Sequence, residues 1–149
     1  MAAPVSVDTV LAPVDGSEAS MQAAEYALAI AERYGASVHL LSIVSEDSVR
    51  AMATGELEPD TVADRMETFV KSLESIRPES VSVGHSAAAG FSLHRKTQHP
   101  GSVILDVADD VDADFLVIPR EPLTGRPDEV LSKAAEYVLL YASQPVLSV

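Results

Sequence analysis

Apolar residues change rhythm along this chain, and the changes mark its elements. Thr9 to Val14 is an apolar run of strand length that ends at the turn pair Asp15-Gly16. Ala24, Ala27, Leu28 and Ala31 then recur at helical spacing, with Ser17 placed to cap the helix and Gly35 placed to end it. Ser37 to Val44 predicts a second strand, so the first helix is the crossover of a βαβ unit, right-handed by the general rule. Ser45 to Pro59 is a polar, acidic excursion, expected to lie exposed with room for a short helical piece.

The strongest 3.6-residue stripe follows in Val62, Met66, Phe69, Val70, Leu73 and Ile76, with Asp60 as the expected cap and Pro78 as the expected stop. A third strand is expected within Ser80 to Ala89, where alanine and serine blur the alternation. Ile104, Val107, Ala108 and Val111 predict the buried face of another helix. Phe115-Leu116-Val117-Ile118 has the continuous apolar character of a buried parallel strand, ended by Pro119. After a loop from Arg120 to Pro127, a helix is expected over Asp128 to Ala142, with Leu131, Ala134, Ala135, Val138 and Tyr141 at helical spacing. Pro145 to Val149 reads as the last strand. Five strands alternating with four helices imply an α/β fold, a three-layer doubly wound parallel sheet. Residues 1–149 are long enough for one substantial core and short for two, so a single domain is expected.

Several of these segments carry a family likeness. The strand Thr9 to Val14 runs into Val-Asp-Gly-Ser at Val14 to Ser17, Asp114 precedes the run to Ile118, Glu136-Tyr137-Val138 lies within the last helix, and Pro145 to Val149 closes the chain. Together they resemble the universal stress protein family over the whole length except Gly84 to Gly101. The resemblance implies strand order 3-2-1-4-5, the adenine nucleotide alpha hydrolase-like arrangement, and a regulatory role in stress response. It also implies a homodimer in which the last strand, Val146 to Val149, pairs antiparallel with its copy. That strand is apolar, and an uncovered apolar edge is a liability that a second copy would remove.

One loop departs from the family. Its nucleotide-binding members carry glycine, two residues, glycine, nine residues, then Gly-Ser; aligned on Glu136-Tyr137-Val138, those positions hold Pro119, Pro122, Ser132 and Lys133. Glycine lets a backbone approach a phosphate and turn its N–H groups toward it, whereas proline has no N–H and its ring blocks the approach. The expectation is therefore a protein with no cofactor held in the usual loop. The alternative is ATP, AMP or another phosphate ligand held by a rebuilt loop in which Gly125, Arg126 and Lys133 supply the turn and two cations. In that case the resemblance places Asp15 toward the ribose and base, and the Val44 backbone at the adenine edge. Asp15 also has a purely local role open to it, since Asp-Gly makes a tight turn. Arg126 likewise has Asp128 and Glu129 nearby as surface partners. In a doubly wound sheet the ligand crevice lies where strand order reverses, between strands one and four, so Pro13 to Ser17 and Pro119 to Lys133 are the candidate walls.

Charge narrows the partners. A net charge of −13 argues against nucleic acid and anionic membrane, both of which attract basic surfaces. Twenty-three acids stand against seven arginines and only three lysines, Lys71, Lys96 and Lys133. An acidic, lysine-poor surface suits concentrated salt, where screening removes the repulsion, and resembles proteins of salt-loving archaea. His94 to His99 is the one locally basic stretch, either an anion-contacting loop or a solvated one that offsets the acidic field. His85, His94 and His99 lack acidic or cysteine partners at regular spacing, so no metal site is expected. Cysteine is absent, which excludes disulfides and thiolate chemistry. No Gly-x-Ser-x-Gly, Walker-type or Gly-x-Gly-x-x-Gly motif occurs, so an enzyme is not expected, weak nucleotide hydrolysis being the alternative. No signal-peptide pattern and no run near ~18 apolar residues appears, and a cytoplasmic location is expected. No motif specifies another protein partner.

Overall fold

The computed structural model describes residues 5–44, 46–89, 100–120 and 131–149. Its strands are β1 (Thr9–Val14), β2 (Ser37–Val44), β3 (Val83–Ala89), β4 (Phe115–Ile118) and β5 (Val146–Ser148). Its helices are α1 (Glu18–Tyr34), α2 (Glu46–Thr54), α3 (Pro59–Ser75), α4 (Pro100–Asp110) and α5 (Leu131–Tyr141). The sheet order is β3-β2-β1-β4-β5, and every neighbouring pair is parallel. Strand order reverses at β1, the central strand of the sheet. Val10, Leu11 and Ala12 are fully buried there because both faces of the strand are covered.

Alternation along the strands divides the core in two. Val10, Ala12, Val14, Val38, Leu40 and Val117 meet the alanine face of α1 and the Leu73 side of α3. Leu11, Leu41, Ile43, Leu116 and Ile118 meet α4 and α5 through Ile104, Ala108, Ala134 and Val138. Ala23, Ala24, Ala27 and Ala31 are all buried, so α1 approaches the sheet on its smallest side chains. Ser17 caps α1 by accepting from the Ser20 N–H, and Gly35 ends it in the left-handed region at φ 68°, where a Cβ would be strained.

Four expectations change. The acidic excursion after β2 forms a nine-residue helix, α2, giving five helices among the described residues where the periodicity predicts four. Asp60 does not cap α3; the helix begins one residue earlier at Pro59, whose fixed φ suits a first turn, and Asp60 instead places its charge near the positive helix end. α3 stops at Ser75, ahead of Pro78, and Ile76 is 52% exposed, outside the stripe that predicted it inside. Tyr141 is 65% exposed at the end of α5, where the helix has run past the core. Residues 128–130 and His94 to His99 lie outside the described residues.

Asp114, just before β4, ties the two central strands together at their amino ends. Its carboxylate accepts from the N–H groups of Asp8 (3.1 and 3.0 Å) and Thr9 (3.2 Å), and its own N–H donates to the Thr9 carbonyl at 3.0 Å. These amides precede the ladder and would otherwise depend on water.

Candidate functional site

The carboxyl ends of β1 and β2 open into a cavity of about 600 Å3, within the range that small-molecule sites occupy. Val14, Asp15 and Gly16 come from the end of β1, and Ser42, Ile43 and Val44 from the end of β2. Met21 of α1 and Ser48 of α2 flank them. α3 supplies the facing wall with two adjacent stripes, Val62, Met66 and Phe69 on one and Arg65, Thr68 and Ser72 on the other. The helix that the sequence marks as amphipathic therefore spends part of its apolar face on this cavity, which is why Leu73 alone of its residues is buried.

At the mouth, Asp15 is held by its own turn. Asp15 Oδ1 accepts from the Ser17 N–H at 3.0 Å and from the Ser17 hydroxyl at 2.6 Å, while the Asp15 N–H donates to Ser20 Oγ at 3.3 Å. Gly16 takes φ 85°, which lets the chain reverse between strand and helix. The local role open to Asp15 is thus in place, and it fixes the carboxylate at the cavity edge. Val44 reaches the same cavity from the end of β2, so two candidate residues separated by a whole βαβ unit come together.

The other candidates separate from them. Gly125 and Arg126 lie outside the described residues, as does the side chain of Lys133, whose backbone belongs to the first turn of α5. The expected crevice lies over β1 and β4; the cavity described here lies on the β2 side of β1. At the end of β4, the Arg120 N–H donates to the Val149 carbonyl at 2.6 Å, so the amide following Pro119 is committed to the sheet. Pro119 is itself buried and has no N–H to offer.

Arg65, Thr68 and Ser72 escape a reading that follows only apolar periodicity. Their spacing of three and four residues puts them on one helix face, but only the tertiary contact with β1 and β2 turns that face toward a cavity.

A pair of histidine contacts underlies the β2 edge of the site. Ser42 Oγ and His85 Nε2 share a hydrogen bond of 2.8 Å on the α1 and α3 side of the sheet. On the opposite side, His39 Nε2 and Ser86 Oγ share one of 2.7 Å. Burial lowers the pKa of His39, and the charge of His85 across the strand pair lowers it further. Among the described residues, no group of three histidine, cysteine or carboxylate side chains is placed to hold a metal.

Residues 6–149 match the Universal stress protein family. The chain belongs to that family. Universal stress protein MJ0531 of Methanocaldococcus jannaschii is 26% identical over 145 residues, covering 94% of this chain and 80% of that one. The solved structure of hypothetical protein MJ0577 superposes with a TM-score of 0.71 at 23% identity, covering 97% of this chain and 96% of the other. The universal stress protein from Archaeoglobus fulgidus, solved in complex with dAMP, superposes with a TM-score of 0.61 at 18% identity, covering 95% and 96%. These likenesses bear out the universal stress protein fold, with its five-stranded parallel sheet in the order the resemblance implies. No helix among the described residues is long and apolar enough to cross a membrane.

Proposed function

We propose that this universal stress protein is a single-domain, non-enzymatic regulatory module of the cytoplasm that does not hold ATP through a glycine loop. The observation that carries this reading is the end of β4. Pro119 lacks an N–H, and the Arg120 N–H is spent on the Val149 carbonyl at 2.6 Å. A triphosphate needs several inward-turned amides at that point, and two consecutive positions have none to give. Against catalysis, the Ser42–His85 pair has no acidic partner to orient the imidazole among the described residues. The acidic, lysine-poor composition fits service in concentrated salt. Homodimerisation through Val146 to Val149 fits the place of β5 at one edge of the sheet. Protein purified in high potassium chloride tests the reading by mass spectrometry of released ligands. It should carry no ATP, and ATP with Mg2+ should leave its melting temperature unmoved; copurified ATP would overturn the proposal.

A second reading is favoured by the cavity itself. Asp15 and Val44 meet there, and a universal stress protein of the same fold was solved with the mononucleotide dAMP. On this reading the module senses a small phosphate ligand, with adenine nucleotides as the class to try first. A mononucleotide needs no triphosphate cradle, so the two readings are compatible.

A further inference from the structure

We propose that Arg65, on α3, is the anion-recognising residue of the cavity, so that a nucleoside monophosphate is held with its phosphate turned toward α3 and away from the loop after β4. The inference rests on the second reading above and adds the residue and the direction of binding. Among the described residues, two charged side chains line the cavity, Asp15 and Arg65. The chain carries 23 acids and 10 basic residues, yet Arg65 makes no hydrogen bond or ion pair among the described residues. Lys71, the other cation of α3, shows the contrast: it pairs with Glu67 at 3.0 Å on the solvent side.

Hydrogen-bond accounting along the wall points the same way. The Thr68 hydroxyl donates to the Asp64 carbonyl at 2.9 Å, and the Ser72 hydroxyl donates to the Thr68 carbonyl at 3.0 Å. Each has spent its one proton, so both oxygens face a ligand as acceptors. Ser42 is engaged with His85, and Asp15 is an acceptor. The guanidinium of Arg65 is thus the strong donor left on this wall, with a planar fork suited to two phosphate oxygens. Met21, Met66 and Phe69 give an apolar bed for a flat body, while the hydroxyl oxygens suit a ligand rich in O–H and N–H donors. A nucleoside monophosphate has that polarity: donors on base and sugar, and one anion at the end.

Isothermal titration with AMP and adenosine, which differ by the phosphate, tests this on wild-type protein and on Arg65→Gln. AMP should bind the wild type at least about tenfold more tightly than adenosine, as a charge-assisted contact allows. Arg65→Gln should erase that preference and leave adenosine unchanged; Arg65 is exposed, so the fold is not at stake. If Arg65→Gln keeps the preference while Arg126→Gln or Lys133→Gln loses it, the inference falls and nucleotide binding stands. If wild type binds neither compound, both fall together.

Discussion

Gly101 of α4 lies against the ring of Tyr137 of α5 so closely that a Cβ there would come 2.6 Å from Tyr137 Cδ1 and 2.7 Å from its Cβ. The second distance matters more, because a Cβ is fixed to its helix and cannot swing away. Alanine usually stabilises a helix by about 1 kcal/mol over glycine, but overpacking at a fixed contact costs about 1–3 kcal/mol. Gly101→Ala should therefore lower the melting temperature. Paired with Tyr137→Ala in a double-mutant cycle, it should show positive coupling; simple additivity would remove this contact as the cause.

Ser17 serves two partners at once, accepting from the Ser20 N–H at 3.1 Å and donating to Asp15 Oδ1 at 2.6 Å. Ser17→Ala should cost about 0.5–2 kcal/mol in chemical denaturation. Ser17→Asp, which keeps the cap but sets a second carboxylate beside Asp15, should recover only part of it.

His39 makes stability depend on pH in a predictable direction. Its folded pKa is lowered, first by burial and then by His85, so the unfolded chain takes up a proton more readily. Stability is complete where both states are neutral and declines as pH drops below about 6.5, until the folded imidazole also protonates. His39→Gln should flatten the difference in unfolding free energy between neutral and mildly acidic buffer. An unchanged slope in the variant would assign the decline to other groups.

The side of β5 that faces away from β4 tests the dimer. The Val149 N–H donates to Ile118 and the Pro145 carbonyl accepts from Leu116, so the peptide groups of Val146 and Ser148 face away from β4. Ser148→Pro removes one outward N–H without touching that ladder. Sedimentation velocity should find wild type dimeric and Ser148→Pro monomeric with unchanged circular dichroism. A monomeric wild type would end the strand-pairing proposal. Ser148 Oγ is buried without a hydrogen-bond partner among the described residues, so Ser148→Ala should leave the monomer as stable or up to about 1–2 kcal/mol more stable.

Periodicity located β1, β2, β4 and β5 within a residue or two, because strands buried on both faces are largely apolar along their length; β3 begins three residues inside the expected Ser80 to Ala89, where alanine and serine blur the alternation. It also located α1 through its caps, which are local bonds between neighbours in sequence. Its misses lie where packing overrides pattern: Ile76 and Tyr141 keep the helical rhythm after the sheet beneath them has ended.

Local chemistry was thus largely written in the sequence: which segments extend, where most helices lie, and that Pro119 and Pro122 stand in the loop after β4. Nothing in residue order could say that Asp114 would clamp the amides of Asp8 and Thr9, more than a hundred positions away. Nor could it say that Arg65 and Asp15 would line one cavity. Those relationships exist only after parallel strands have brought distant segments side by side, since side-chain meeting depends on sheet order and crossover, and neither is a property of any short stretch of chain.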